Sequence, residues 1–500
     1  LAWCAFAVVV ATAHVAPALA GDWKSELALG ARATLTNNVN LGPPGQEEAD
    51  LYFTVTPSIR TSRQGARLQA SLSYRPSLTV YASQADASKV ANSLTATGKL
   101  EAVSDFFFVD ASASISQTFL TPFGTQPPDI GSITENRAET YAASLSPYIK
   151  GRFGAAGTYE LRNTTAWSAT DSSLTEGSVY VRWSGRASAP LSQRASWSVQ
   201  GSRSTNYFGE NDGLYTDVVR ALLTYRLAQD LSMTLRVGYE DNNYALNQNT
   251  TGAIYGLGAT WTPTPRTNVT GFFEKRFFGT GYNFSATHRH RRTAISLYGS
   301  RDVRTYAELL FELPPGDTRT LLDALLTARV PDPTQREQAI DQFLLISGAP
   351  ATLGVPTTYY SQRINLVENL GASLALLGVR NSVILSTYWL RNEPVSTLTG
   401  QPLPPEFATL ERYITYGASA NWSYRLTGRS RASFLVSRSY TRRIDVPEDD
   451  STNTLARLEL NTLLGPRTTG SIGVRWTQFD AALRNSYTEY AIFAAGNHVF

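Results

Sequence analysis

Few residues in this 500-residue chain are placed to do covalent or metal chemistry. There are four histidines, and two of them stand in His288-Arg289-His290-Arg291-Arg292. Histidines two apart on a strand share a face and could ligate a metal. The three arginines around them repel a cation, so a solvated turn is the better account. His14 lies in the N-terminal apolar stretch and His498 stands alone near the end. The chain has no nucleophile elbow, no phosphate-cradling glycine loop and no metalloprotease helix motif. Its single cysteine, Cys4, lies in a segment read below as an export signal. No enzyme, cofactor or metal site is therefore expected.

What remains is the chemistry of charge. Lysine occurs only at 24, 89, 99, 150 and 275, so 39 of the 44 basic residues are arginine. Arginine holds its charge and makes forked contacts with carboxylates and phosphates. Arg60, Arg67, Arg75, Arg162, Arg182, Arg236, Arg457 and Arg475 all fall among polar residues that alternate with apolar ones, as do Glu160, Glu240 and Glu459. One reading is a cationic track for an anionic solute such as an acidic polysaccharide. The other is ordinary filling of a wet interior, with the three glutamates as partners. A net charge of only +3 favours the second and argues against a nucleic-acid partner.

The elements that carry these charges are strands. In Leu231–Glu240, Leu231, Met233, Leu235, Val237 and Tyr239 share one face, while Ser232, Thr234, Arg236, Gly238 and Glu240 share the other. The pattern recurs to the end of the chain in segments of about 10 residues, enough for a tilted strand to span a bilayer. Charged residues are 17% of the chain, against about 25% in soluble proteins. No run of about 20 apolar residues makes a membrane helix. Tyr, Phe and Trp number 25, 21 and 9, the supply that interfacial girdles need. Short turns, as at Leu227–Asp230 and Gly378–Asn381, alternate with longer loops, as at Leu120–Arg137 and Asn392–Thr409. The expected fold is all-β: a transmembrane antiparallel up-and-down barrel over residues 21–500, with about 22 strands (range ~18–24). An arginine facing mid-bilayer lipid costs roughly 2–4 kcal/mol, so the arginine set should face the lumen.

One region breaks the rhythm. Asp317–Arg329 places Leu321, Leu322, Leu325 and Leu326 at helical spacing. Asp332 can cap a second helix that starts at Pro333 and carries Ile340, Phe343 and Leu344 on one side. A two-helix insert is thus expected within 303–357, from the long-loop side. It is a candidate gate or plug through Leu321, Leu325, Asp332, Pro333 and Phe343. It could enter the lumen, cap the mouth or hold a partner.

Residues 1–20 read as an export signal lacking its start, with an apolar run and Ala18-Leu19-Ala20 before the cut. The C-terminal aromatic, Phe500, on an apparent last strand reads as an assembly signal for the outer-membrane insertion machinery.

Four segments carry a family resemblance: Thr36–Leu41 (TNNVNL), Phe106–Gln117 (FFFVDASASISQ), Val330–Arg336 (VPDPTQR) and Leu377–Asn381 (LGVRN). Their order and spacing resemble the outer-membrane β-barrel family associated with the PEP-CTERM/exosortase system of Gram-negative bacteria. The resemblance spans nearly the whole chain beyond the signal. It implies an outer-membrane location beside exopolysaccharide synthesis and protein-sorting functions. It brings no reaction and no binding residues. The expected function is a channel or scaffold for exopolysaccharide export, with membrane lipid, an anionic polysaccharide and periplasmic export components as partners. The alternatives are a general diffusion porin and, less favoured, an outer-membrane enzyme.

Overall fold

A computed structural model gives one closed sheet in which every strand is antiparallel to its neighbours. It describes residues 23–500 except 155, 173–174, 210–212, 245–250, 312–317, 328, 348–358, 360, 362, 397–411, 447 and 484–485. The expected export signal therefore lies outside the described residues. The wall has 22 strands, from Lys24–Thr36 to Tyr487–Val499. The first strand pairs with the second and also with the last, from Ala28 opposite Val499 to Thr36 opposite Ala491. Closure leaves no edge, the condition for a sheet in hydrocarbon.

The third and fourth strands are each broken once. Leu68–Tyr74 and Ser77–Tyr81 form the third; Lys89–Ala91 and Leu94–Val103 form the fourth. Pro76 has no N–H to give the ladder and accounts for the first break. Opposite it, Arg75 and Ser93 exchange backbone hydrogen bonds of 2.8 and 3.2 Å, so the wall stays closed beside the gap.

The two faces of the wall part as the alternation predicts. Leu29, Val55, Leu161, Val199, Leu235, Leu257, Leu385 and Leu458 point out and are exposed. Exposed aromatics gather toward both ends of the strands. Trp23, Phe153, Tyr225, Trp261 and Trp422 lie toward the short turns, and Trp167, Tyr207, Tyr239, Tyr416 and Tyr490 toward the long loops. An apolar band between two aromatic girdles on a closed, even-stranded sheet is the exterior of a transmembrane barrel of the bacterial outer-membrane type. In that fold the short turns are periplasmic.

One connection on the long-loop side is itself tight. Only Phe277 and Phe278 join Thr267–Arg276 to Gly279–Arg289, and Gly279 takes φ +102°, which glycine tolerates.

The insert holds three short helices among the described residues, one more than the sequence predicts: α1 (Tyr306–Phe311), α2 (Thr318–Leu326) and α3 (Pro333–Ser347). The preceding strand runs to Arg304, so Val303 and Arg304 belong to the wall. The extra helix, α1, starts with a reciprocal cap. The Glu308 N–H donates to Thr305 Oγ1 at 3.2 Å, and the Thr305 N–H donates to Glu308 Oε2 at 2.9 Å. For α3, the Gln335 N–H donates to Asp332 Oδ1 at 2.8 Å, the cap expected ahead of Pro333.

The facing of adjacent residues makes a paired test. Leu235→Arg should block assembly, at a cost of roughly 2–4 kcal/mol for a cation against lipid. Arg236→Leu should still assemble. The fraction of heat-modifiable protein in the outer membrane reads both, and the reverse ranking would invert the barrel.

Candidate functional site

The insert occupies the lumen. Leu321 and Leu325 of α2, with Phe343 and Leu344 of α3, pack on Ala294, Ala375, Ile384 and Leu435 of the wall. These wall residues alternate with the outward, exposed Ile295, Leu385 and Phe434, so they face inward. Inward apolar side chains are out of place in a water-filled bore. Here they form the seat of the helices, and Leu321 and Leu325 are 2% and 7% exposed.

Charge holds the other side. Arg60, on the second strand, reaches Asp341 of α3 at 2.7 Å, and Arg319 of α2 reaches the same carboxylate at 2.7 Å. Arg431 lies 5.8 Å over the Phe343 ring. The insert thus touches the wall from two directions and crosses the bore.

The insert also reaches far down. Ala294 is the second residue of its strand and Ala375 the third from the end of its own, both beside short turns. The Arg329 guanidinium donates to the Arg291 carbonyl in the turn at that mouth, at 3.2 Å. Arg336 locks the α2–α3 turn. Its Nε meets Asp323 at 2.5 Å and its Nη1 donates to the Val330 and Pro331 carbonyls at 2.9 and 3.0 Å. By contrast α1 sits near the long-loop mouth. There Tyr180 donates to Glu308 at 2.9 Å, and Ala307 packs on Ala166 and Tyr180.

A second segment also enters the lumen, and sequence reasoning gave it only as a long loop. Residues 120–136 fold inward. Ser451 donates to the Pro122 carbonyl at 3.1 Å, and Tyr81 donates to that of Gly131 at 2.5 Å. Gly131 lies so close to the Tyr52 ring that a Cβ there would be 2.2 Å from it. Asp129, at the loop's tip, meets Arg475 at 2.8 Å and Arg32 at 3.7 Å. Arg475 also grips Glu489 on the last strand at 2.7 Å, and Thr36 on the first strand donates to Glu489 at 2.9 Å. One network thereby ties the loop to both sides of the closing seam. Burial pushes the Asp129 carboxyl up, but the Arg475 and Arg32 charges and the Gly131 N–H outweigh it and hold it below the ordinary carboxylate range.

The other charges singled out in the sequence fall in place along the wall. Arg162 meets Asp110 at 2.8 Å and Glu160 at 3.0 Å, and stacks 3.7 Å over Tyr148. Arg182 lies beside Tyr180. Arg236 stands 3.5 Å from Glu274 and 3.6 Å over Phe272. Glu240, fully buried, takes Arg276 at 2.7 Å. Arg457 stands 3.6 Å from Glu459. Arg67 donates to Ser104 at 2.9 Å near a short turn, and Arg75 sits at the strand break. Phe500, exposed, hydrogen-bonds through its N–H to the Leu27 carbonyl at 2.9 Å. Asp317 lies outside the described residues. The sequence reading missed Asp110, Asp129, Glu274, Asp302, Asp341 and Glu489. Each acts on a partner remote in the chain, and only register or folding-in of a loop brings them together. No group of three or more His, Asp or Glu side chains could hold a metal among the described residues.

Neither a protein-family model nor a curated protein matches this chain. Solved structures match over most of this chain at low identity. The siderophore receptor PirA from Acinetobacter baumannii is 9% identical, with 95% of this chain and 80% of that one covered at a TM-score of 0.48. PirA from Pseudomonas aeruginosa gives 9%, 96%, 81% and 0.45 in the same order. OpdO from Pseudomonas aeruginosa gives 11%, 95%, 98% and 0.32. At such identities and scores these likenesses say nothing of what this chain carries.

Asp129→Asn tests the loop's anchor. Removing one partner of a buried ion pair costs roughly 3–5 kcal/mol, less here because Arg475 keeps Glu489. Residues 120–136 should become cleavable by protease added outside intact cells, while the barrel stays folded. Acid should do the same only when strong. A depressed carboxyl stabilises fully above its unfolded pKa and loses that contribution as pH falls through its lower folded value. Release already at mildly acidic pH would contradict the assignment.

Proposed function

We propose that this protein is an outer-membrane channel constricted by its own helical insert, and that it serves passage of a polar glycan in exopolysaccharide export and the associated protein sorting. The observation that carries the reading is the seating of α2 and α3. They rest on a small apolar patch and are braced across the bore by Arg60, Asp341 and Arg319. Such a seat is strong enough to hold and small enough to give way. Truncating one buried leucine to alanine costs roughly 2–5 kcal/mol, and part-exposed ion pairs add little. A constriction held by so few contacts can be displaced without disturbing the ladder of the wall. The export context rests on the family resemblance of the four segments. Periplasmic export components would meet the protein at the short-turn mouth, where the α2–α3 turn is exposed.

A general diffusion porin is the alternative, and it predicts high conductance in the intact protein. Replacing 317–345 by a short Gly-Ser linker should raise single-channel conductance several-fold in a planar bilayer. Leu321→Ala with Leu325→Ala should lengthen openings without changing the fully open level. Loss of the gene should lower surface polysaccharide. Unchanged conductance after the replacement would remove the insert from any gating role.

A further inference from the structure

Many arginines of this lumen meet carboxylates, and one cluster of cations around a recess in the wall does not. At the short-turn mouth the wall holds a recess of about 790 Å³ bordered by Lys150, Arg152, Arg186, Glu160, Thr158 and Ser188. Asp105 stands at its rim. The side chains come from three adjacent strands, Arg137–Phe153, Gly157–Thr170 and Ser178–Pro190. In register, Lys150 lies opposite Glu160 and Glu160 opposite Arg186; one step nearer the turns, Arg152 lies opposite Thr158 and Thr158 opposite Ser188. All belong to the face that carries Arg162, and they alternate with the exposed, outward Leu161 and Trp183.

Two other groups of lumen arginines are answered by carboxylates. Arg220, Arg236 and Arg276 share Glu240, Glu274 and Asp302, and Arg475 has Asp129 and Glu489. In the recess the one inward carboxylate, Glu160, is turned to Arg162 at 3.0 Å and forms no ion pair with Lys150 or Arg186. Lys150 rests 4.1 Å over the Phe108 ring. The guanidiniums of Arg152 and Arg186 have no carboxylate partner among the described residues. Thr158 and Ser188, hydrogen-bonded to each other at 3.1 Å, add a hydroxyl pair between the cations. Confined surplus cations focus a positive field, and two free guanidiniums supply forked donors for carboxylate or phosphate.

We propose that this recess is an anion-binding vestibule on the periplasmic side, built for an acidic saccharide. Three cations spread over neighbouring strands suit charges repeated along a chain better than one compact ion. Hydroxyls between them suit sugar hydroxyls. The vestibule names the class of solute for the channel proposed above and rests on that reading for its place in transport. Its binding chemistry stands apart from whether the bore conducts.

The test is therefore calorimetric titration of the refolded protein in detergent micelles. Tetragalacturonate should bind, weaken as salt rises, and bind more tightly than tripolyphosphate; neutral maltotetraose should not bind. The triple variant Lys150→Gln, Arg152→Gln, Arg186→Gln should lose roughly tenfold or more in affinity while remaining heat-modifiable, so that misfolding is seen separately. Arg220→Gln, outside the recess, should leave affinity unchanged. Equal binding by the triple variant, or no binding of tetragalacturonate by the wild type, overturns the vestibule. Tighter binding of tripolyphosphate overturns the saccharide class. Conductance of the same preparation is read in a planar bilayer, so a silent channel counts against the transport reading alone.

Discussion

Hydrocarbon offers a peptide group no hydrogen-bond partner, and the whole structure follows from that constraint. Each strand must find its bonds in its neighbours, and the last neighbour must be the first strand. The wall meets this demand from Ala28 opposite Val499 to Thr36 opposite Ala491. Closure then creates two environments on either side of one sheet, and the two-residue period of a strand sorts side chains between them. Most leucine and tryptophan go out and most arginine and glutamate go in, with Arg203 and Arg438 on the outward face and Ile384 and Leu435 on the inward one. The seam where the ring closes has its own reinforcement. Thr36, Glu489, Arg475 and Asp129 link the first strand, the last two strands and an inward loop in one hydrogen-bonded set.

The interior poses a second problem. A barrel of this girth encloses more space than the side chains of its wall can fill. This protein fills part of it with its own chain, from two directions: the loop 120–136 against the strands near the seam, and the helices against an inward apolar patch. The two are held differently. Buried charge fixes the loop, where removing a partner is expensive. Three leucines, an aromatic ring and a shared carboxylate hold the helices, and each of these is modest. Buried charge and modest contacts thus hold different parts of one bore, and the proposed gate is the part held by modest contacts.

The fold was legible in the sequence because alternation is a local signal. Leu231–Glu240 shows it without any knowledge of its neighbours, and so does the Asp332-Pro333 start of α3. The short helix α1 was missed, although Thr305 and Glu308 stand at capping-box spacing, because six residues are too few to show a helical stripe. The break at Pro76 was also missed, although a proline stands there inside an alternating run. The inward course of 120–136 was not legible. Its anchors are Tyr81, Ser451 and Arg475, and no local pattern joins them to Asp129. The same holds for Arg60 and Asp341, which lie 281 residues apart in the chain. Three of the four segments singled out in the sequence have definite structural roles. Thr36–Leu41 bonds to the seam through Asn38, which donates to the Gly42 and Thr488 carbonyls. Val330–Arg336 is the locked turn between two helices. Leu377–Asn381 is a tight turn in which the Gly378 N–H donates to the Asn381 carbonyl.

The contact between Arg329 and the Arg291 carbonyl places one end of the insert at the floor of the barrel, while Glu308 binds Tyr180 near its roof. Among the described residues, one insert thus contacts the wall near both of its mouths. The wall is therefore braced from within at its two rims by residues of one insert.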